Sequence, residues 1–397
     1  MSDKKKIVLA FSGGLDTSYC LPYLKQQYNA EIHTVLVNTG GFSPTELEQK
    51  KEHAFNLGAH SHKSIDHTEK FYEQVIRFLI FGNVLKNNTY PLSVSSERVF
   101  QAVAIAEYAL EVGADALAHG STGAGNDQVR FDLVFNIVAP DLEIITPIRD
   151  QQLSRAEEVA FLKQQGADLE WEEAKYSINK GLWGTSVGGA ETLTSDQPLP
   201  EEAYPSQLTE TEPQTITLSF AKGEPAALNG SQYDPVELIQ ALDKLASSYA
   251  IGRDIHVGDT IIGIKGRVGF EAAAAMLIIK AHEQLEKHTL TKWQLHWKAQ
   301  LADWYGMMLH EGQYLDPVMR NIENFLTDTQ DTVNGTVTIR LHPYRFVIEG
   351  IESENDLMNA KFGDYGEMNN TWSGDDVKGF AKILSNQISI HQSINHD

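Results

Sequence analysis

The sequence predicts an α/β fold in which a parallel sheet, covered by helices on both faces, precedes a smaller α+β part. Over the first 170 residues, short apolar segments alternate with helical patterns, which is the order of a doubly wound parallel sheet. A proline-rich stretch at 195–213 follows, and the elements after it have a mixed order. We therefore expect a doubly wound domain at 1–170, an α+β domain at 171–366 and a C-terminal helical arm at 367–397.

Five segments of the first part have the composition of buried strands. The predicted strands are 7–11, 31–37, 61–65, 115–119 and 143–147. Apolar residues at helical spacing predict a helix over 97–112, with one face formed by Val99, Val103, Ala106 and Leu110. Three helical stretches end on a Gly-Ala pair, which favours left-handed helix ends at Gly58, Gly113 and Gly166.

The second part combines strands with longer helices. The predicted elements are a strand at 215–220, a helix at 235–249, an extended segment at 261–270, a long helical region at 271–312, a helix starting at Asp316-Pro317 and a hairpin at 337–351. The tail at 375–394 places Val377, Ala381, Leu384 and Ile388 on one stripe. Such a helix docks on its own core or forms an arm onto another subunit, and both alternatives stay open.

Composition excludes several classes of function. The 397 residues carry a net charge of −22, which disfavours binding to nucleic acid. The longest apolar run, 272–279, is too short to span a membrane. The single cysteine, Cys20, permits no intrachain disulfide, and we expect it to be a small buried hydrophobe. These observations predict a soluble cytoplasmic protein.

A glycine loop, "SGGLDTS" at 12–18, follows the first predicted strand. Its backbone N–H groups and hydroxyls suit an anion. The carboxylate of Asp16 fits an anion site only if a divalent cation shares the site. Mg²⁺ bound to a pyrophosphate would be compatible with both the anion-binding turn and the carboxylate. Neither the dinucleotide fingerprint nor the Walker loop is present. The alternative is an ordinary glycine turn in which Ser12 caps the helix.

A second loop, "HGSTGAGNDQVRFD" at 119–132, follows the fourth predicted strand. The carboxyl ends of parallel strands share one edge of a sheet, so both loops should lie there. Thr122, Asn126, Asp127 and Arg130 combine a hydroxyl, an amide, a carboxylate and a guanidinium, a mixture that suits a free amino acid. The alternative is a solvated loop that caps a helix beginning near Asp127.

The glycine loop resembles the pyrophosphate loop of the ATP pyrophosphatases, which have an adenine nucleotide α-hydrolase-like fold. Three further segments, the second loop, "TYPLSVSSER" and "YSINKGLWGTS", resemble segments of the argininosuccinate synthase family. With the glycine loop, they extend this resemblance over nearly the whole chain. This resemblance implies a carbon–nitrogen ligase of arginine biosynthesis. Citrulline, aspartate and ATP would give argininosuccinate, AMP and pyrophosphate through a citrullyl adenylate, with Mg²⁺, in a homotetramer.

The resemblance also implies roles for individual residues. ATP would be bound by Ala10, Phe11, Ser12, Gly13, Gly14, Leu15, Asp16, Thr17, Ser18, Val37 and Gly120. Citrulline would be bound by Tyr90, Ser95, Asn126, Arg130, Ser177 and Ser186. Aspartate would be bound by Thr122, Asn126 and Asp127. Asp16 and Asp127 would be catalytic, and Asp16 would also bind the metal.

The chain departs from the family where a glutamate and a tyrosine help to hold citrulline, because Gly258 and Phe270 align there. Asp259, one residue further, is the nearest replacement. The rival explanation is an N-acylated citrulline, whose α-nitrogen carries no charge. We favour free citrulline, because the rest of the amino-acid-binding cluster is intact.

Two functions outside this family are disfavoured. A tRNA thiolase needs a pair of cysteines and a basic face, and this acidic chain has one cysteine. A non-catalytic nucleotide-binding relative would not need both Asp16 and Asp127, which the chain retains.

Overall fold

The computed structural model describes residues 4–167, 175–359 and 371–395. Its first part contains a five-stranded parallel sheet in the order β3-β2-β1-β4-β5. The strands are β1 (Lys6–Ala10), β2 (Glu31–Asn38), β3 (Ser61–Asp66), β4 (Ala116–Ala118) and β5 (Glu143–Ile145). All five predicted strands, and the parallel sheet, are thereby confirmed.

Helices cover both faces of this sheet. They are α1 (Leu15–Tyr28), α2 (Pro44–Asn56), α3 (Thr68–Phe71), α4 (Arg77–Phe81), α5 (Ser95–Glu111), α6 (Asp127–Val138), α7 (Pro147–Gln151) and α8 (Arg155–Gln164), with a π-helical turn at Tyr72–Ile76. Alternate residues of β1 enter two separate cores: Ile7 and Leu9 pack with α1 and α8, whereas Val8 and Ala10 belong to the core that includes α5 and α6. This alternation makes the domain doubly wound, as predicted.

The left-handed ends predicted for three helices are present. Gly58, Gly113 and Gly166 have φ angles of +94°, +61° and +77°. The predicted helix at 97–112 begins two residues earlier, as α5. Cys20 is free and buried, as expected.

The second part contains two antiparallel sheets. The first has the order β11-β12-β7-β6 and the second the order β10-β9-β8-β13-β14. The strands are β6 (Ser177–Gly181), β7 (Gly184–Gly188), β8 (Gln214–Ala221), β9 (Glu224–Leu228), β10 (Ser231–Gln232), β11 (Arg253–Asp259), β12 (Lys265–Glu271), β13 (Gly335–His342) and β14 (Arg345–Glu352). The helices between them are α9 (Pro235–Ser247), α10 (Ala273–Thr289), α11 (Lys292–His310) and α12 (Pro317–Asp328).

Two predicted elements of this part differ from the structure. The long helical region at 271–312 is two helices, because Leu290 is extended (φ −107°, ψ 148°) and Thr291 caps α11. The extended segment at 261–270 becomes a strand only at Lys265, since the Thr260 N–H donates to the Ile264 carbonyl at 2.8 Å and closes a turn. That turn joins β11, which was not predicted, to β12 in a hairpin.

The proline-rich stretch is an ordered surface crossing. Leu199 and Ala203 are buried there against Val187.

The tail forms α13 (Gly374–Leu384) and α14 (Asn386–Asn395). Every described residue of both helices is exposed, including Phe380 (66 %) and Ile383 (71 %). The tail therefore does not bury its apolar stripe against the rest of the described chain.

A search of the described residues for membrane-spanning segments found no helix with the necessary length and apolar character.

Candidate active site

Both predicted loops open onto one cleft of about 1170 Å³ at the carboxyl edge of the parallel sheet. One wall is formed by the loops after β1 and β4, and the opposite wall by β6, β7 and the β11–β12 hairpin. All the predicted site residues line this cleft except Gly13 and Ser18. Ser18 is buried below the loop, where its hydroxyl lies 2.8 Å from Nε2 of His53.

The glycine loop leads directly into α1. The cap residue of this helix is Gly14, and it makes no side-chain capping bond. Ser12 instead accepts a hydrogen bond from the Gly14 N–H at 3.4 Å and lies 3.3 Å from the Thr17 hydroxyl. The first-turn amides of α1 thus lie at the cleft without a capping side chain, an arrangement that suits an anion.

Gly120 brings the second loop against this helix. A Cβ at Gly120 would lie 3.1 Å from the carbonyl carbon of Asp16 and 3.2 Å from the Thr17 nitrogen. Only glycine permits this close approach, so the end of β4 sits directly on the first turn of α1. The two loops therefore form one continuous surface.

Asp16 has a carboxyl partner that was not predicted. A hydrogen bond joins it to Glu158 on α8. Burial raises the pKa of both carboxyl groups. The pKa of Glu158 rises to about 8, because the charge of Asp16 adds to the effect of burial. The positive charge of Arg155 lowers the pKa of both groups and so opposes this rise. At neutral pH the pair therefore retains a proton, held mainly by Glu158.

Asp127 lies between two arginines. Nε of Arg98 is 3.1 Å from one of its carboxylate oxygens, and Nη1 of Arg130 is 2.9 Å from the other. Burial opposes ionisation, but the two guanidinium groups hold the pKa of Asp127 below its ordinary value. Arg98 was not predicted, and this arginine clamp keeps the carboxylate charged.

The clamp also connects the two parts of the chain. Nη2 of Arg98 donates to Oδ1 of Asn179 on β6 at 2.9 Å. Arg130 donates to the His310 carbonyl, at the end of α11, through Nε (3.0 Å) and Nη2 (2.7 Å). Charged groups of the first part are thus oriented by the second.

The second loop is held at its centre and at its tip. Oδ1 of Asn126 accepts from the Ile261 N–H at 2.8 Å, and the Gln128 amide donates to the carbonyls of Gly123 (2.6 Å) and Gly125 (3.2 Å). Asn126 makes no capping bond to α6. Asn126 is therefore tied to the β11–β12 turn, whereas Thr122 to Gly125 are exposed.

Tyr90 forms part of the wall predicted to hold citrulline. Its hydroxyl accepts from Ser93 Oγ and from the Val94 N–H, both at 3.2 Å. Its ring stacks on His256, with centroids 5.2 Å apart, and contacts Phe270 at 5.4 Å. Phe270 is fully buried, so it supports Tyr90 and does not line the cleft.

Two buried polar atoms of cleft residues have no hydrogen-bond partner among the described residues. They are Oγ of Ser95 and Nδ1 of His256. Because buried polar groups are nearly always hydrogen-bonded, such atoms beside a cleft indicate positions that a ligand or water satisfies. Ser95 was predicted to bind ligand; His256 was not.

The structure also shows the surroundings of Gly258, where the chain departs from the family pattern. A Cβ at Gly258 would lie 2.5 Å from Nε2 of His256, so His256 occupies the space that a larger residue would need. The carboxylate of Asp259 lies 2.6 Å from the ammonium group of Lys265, at the exposed rim of the cleft. Asp259 is near the predicted position, but its charge is already paired.

Lys50 on α2 is a further cation that the sequence did not indicate. Its ammonium group donates to the Gly13 carbonyl at 3.4 Å, and burial lowers its pKa. No motif surrounds Lys50, and only the packing of α2 on the loop brings it there. It adds a positive charge beside the first turn of α1.

Comparisons with known proteins agree with this architecture. Residues 6–168 match the family described as arginosuccinate synthase N-terminal HUP domain, and residues 176–391 match the arginosuccinate synthase C-terminal domain. Proteins named argininosuccinate synthase are similar over nearly their whole length. The one from Dictyoglomus thermophilum is 38 % identical (97 % of this chain and 96 % of that protein). The one from Methanocaldococcus jannaschii is 38 % identical, and the alignment covers 91 % of this chain and 91 % of that protein. The one from Xanthomonas campestris is 36 % identical over 98 % of this chain and 99 % of that protein. The chain therefore belongs to the argininosuccinate synthase family, a family of carbon–nitrogen ligases.

Proposed function

We propose that this cleft joins citrulline to aspartate in two steps at the expense of ATP. The observation that carries the proposal is the single cleft in which an uncapped helix N-terminus, an arginine-clamped carboxylate and unsatisfied polar atoms face one another. The β- and γ-phosphates of ATP would bind at the first turn of α1, near Lys50.

In the first step the ureido oxygen of citrulline attacks the α-phosphorus. An oxygen–phosphorus bond forms, the bond to the β-phosphate breaks, and pyrophosphate leaves with the electron pair. Citrulline would be held by Tyr90, Ser95, Asn126, Arg130, Ser177 and Ser186. None of these residues is needed as a covalent nucleophile, so the chain contributes mainly orientation and charge.

In the second step the aspartate amine attacks the activated carbon and expels AMP. The amine loses a proton in this step, which the departing AMP phosphate accepts, and the Asp127 carboxylate, kept ionised by Arg98 and Arg130, is suited to hold the attacking nitrogen. Thr122 and Asn126 complete the proposed aspartate site.

The residues present fit a magnesium ion bound with the nucleotide. Asp16 faces the cleft beside the anion-binding turn, and a carboxylate plus phosphate oxygens is the donor set that Mg²⁺ prefers. The ion would neutralise charge on the departing pyrophosphate. Glu158 would position Asp16 through their hydrogen bond.

The same chemistry on an N-acylated citrulline is the second candidate. The observation in its favour is that Asp259 is paired with Lys265 while His256 fills the space beside Gly258. A substrate without an α-ammonium group would need no counter-charge on this wall. Free citrulline remains the first candidate.

We further propose that the protein is a cytoplasmic homotetramer in which the tail packs on another copy. Both tail helices are exposed along their apolar stripe. Helix α11 exposes three tryptophans, Trp293 (63 %), Trp297 (57 %) and Trp304 (58 %), which form an apolar face that association could cover.

The test of the proposed activity is a reaction containing the protein, ATP, Mg²⁺, citrulline and aspartate. We expect AMP and pyrophosphate in equal amounts, with no AMP when citrulline is omitted. ATP binding without any AMP formation would instead favour the non-catalytic relative.

A further inference from the structure

Three side chains converge at the amino edge of the parallel sheet, opposite the cleft. Glu31 and His33 lie two residues apart on β2, and His60 precedes β3. One carboxylate oxygen of Glu31 and one ring nitrogen of each histidine all lie within 4.8 Å of one another. Nε2 of His60 is 3.7 Å from Oε2 of Glu31.

Backbone hydrogen bonds fix all three positions. The His60 N–H donates to the Ile32 carbonyl and the Glu31 N–H to the Lys5 carbonyl, both at 2.8 Å. His33 is paired in register with Ser61 of β3. Glu31 and His33 therefore extend from strand β2, and His60 from the residue that leads into β3.

His33 supplies the observation that points to a ligand. Only 9 % of it is exposed, and its buried Nε2 has no hydrogen-bond partner among the described residues. Its Nδ1 lies 2.7 Å from the Ser61 hydroxyl. When Nδ1–H donates to Ser61, the lone pair of Nε2 is directed away from it, as in histidines that bind metals.

We propose that Glu31, His33 and His60 bind one divalent transition-metal ion of the Zn²⁺ type. Two imidazole nitrogens and one carboxylate oxygen are donors that zinc accepts, whereas Mg²⁺ and Ca²⁺ prefer oxygen alone. Bonds of about 2.1 Å place tetrahedral ligand atoms about 3.4 Å apart. The 3.7 Å between His60 and Glu31 is close to this spacing, and rotation of these two partly exposed side chains brings both towards His33.

The position of the site predicts what the metal does. It would connect the amino ends of β2 and β3, at the edge of the sheet away from the nucleotide. Metal binding should therefore raise the thermal stability of the protein, because only the folded chain assembles the three ligands.

The test is calorimetric titration of the chelator-treated full-length protein with Zn²⁺, in excess Mg²⁺ so that all-oxygen sites are filled. We expect one equivalent to bind tightly, and Co²⁺ to give the visible absorption of a tetrahedral site. His60→Ala and Glu31→Gln should each weaken binding by at least about tenfold, and Ser61→Ala by about 10- to 100-fold. The matched control is His296→Ala, which removes an exposed histidine of α11 and should leave the zinc affinity and the number of bound equivalents unchanged.

His33→Ala empties a buried position and can disturb the fold, so the exposed ligands decide the question. Unchanged zinc affinity in both His60→Ala and Glu31→Gln would overturn the proposal. So would weak binding of several equivalents, equally reduced by His296→Ala, since that pattern is typical of scattered surface histidines.

Discussion

Glu158 on α8 is hydrogen-bonded to Asp16, the one carboxylate of the glycine loop. Two buried carboxyl groups that share a proton titrate as a pair, and a cation that binds Asp16 competes with that proton. Because the proton stays mainly on Glu158, Asp16 keeps the negative charge that the proposed magnesium site requires.

Replacement of Asp16 tests this role. Asp16→Asn retains a hydrogen-bonding side chain but loses the negative charge, so we expect a normal circular dichroism spectrum and a loss of adenylation of about 100-fold or more. The measurement is citrulline-dependent exchange of labelled pyrophosphate into ATP. Asp141→Asn, at an exposed position, is the matched control. Near-normal exchange in Asp16→Asn would remove Asp16 from the mechanism.

Glu158 should make stability depend on pH. Its pKa is about 8 in the folded protein, above the ordinary value of 4.5, so between these values the folded state binds more protons than the unfolded state. The free energy of unfolding should then fall as the pH rises through this window. In Glu158→Gln this contribution disappears, so urea unfolding at about pH 5 and about pH 9 should show a smaller difference than in the parent. An equal difference in both proteins would contradict the assignment. Burial also raises the pKa of Glu97 to about 8. Because Glu97 is present in the parent and in Glu158→Gln, its contribution to the pH dependence of stability cancels when the two proteins are compared.

Asp127 should matter more for the second half-reaction than for the first. Asp127→Asn keeps the shape of the side chain but has one acceptor oxygen, so it can accept from only one of the two arginines, and it no longer offers a charge to the aspartate amine. We expect overall synthesis to fall about tenfold more than citrulline-dependent pyrophosphate exchange. Asp141→Asn, at an exposed position outside the cleft lining, again serves as the control. Equal losses in both assays would show that Asp127 does not act on aspartate.

Asp259 should decide between free and acylated citrulline. If it meets the α-ammonium group, Asp259→Ala should raise KM for citrulline about fivefold, the effect of a partly exposed ion pair. Lys265→Ala releases the carboxylate from its 2.6 Å contact and should lower KM. The decisive comparison is citrulline against N-acetylcitrulline in the parent and both variants. A preference for the acylated compound, unaffected by Asp259→Ala, would establish the second candidate.

The tail should control assembly. Phe380→Asp combined with Ile383→Asp places two charges on the exposed apolar stripe of α13, and we expect a smaller particle by light scattering coupled to gel filtration. Lys378→Glu changes a charge on the same exposed helix and is the control. A tetramer that survives the double substitution would show that other surfaces hold it.

The sequence alone predicted the sheet, and nearly all of the predicted site residues line the cleft. Strand β1 was visible because Ile7 to Ala10 are buried on both faces and leave an uninterrupted apolar run. The two loops were visible because each follows such a strand. Strand β11 was missed because its buried positions are His256 and Gly258 while Val257 is exposed, so hydrophobicity does not mark its buried face. Its partner β12 appears only after the hairpin turn.

The supporting charges could not have been predicted in the same way. Arg98, Glu158 and Lys50 lie on three different helices. Arg98 ends the segment TYPLSVSSER, but no pattern in that segment indicates that its side chain pairs with Asp127, and Glu158 and Lys50 lie outside every motif. Which face of each helix meets the cleft is settled by packing against the sheet. Helical periodicity defines that face only when the apolar stripe is narrow, and α5 is apolar on much of its surface.

The order of strands in the second part has a consequence for synthesis on the ribosome. Strand β7 of the β6–β7 hairpin pairs with β12, and strand β8 of the β8–β9 hairpin pairs with β13. Each of these hairpins is therefore synthesised well before the strand that covers its edge. The parallel sheet has all its strands within the first 145 residues and can close long before then. A nascent chain thus holds a nearly complete nucleotide surface together with two unpaired strand edges, which are prone to aggregation. Slow elongation between β8 and β13 would lengthen this vulnerable interval, whereas a chaperone that covers the edges until β13 has emerged would protect the yield of folded protein.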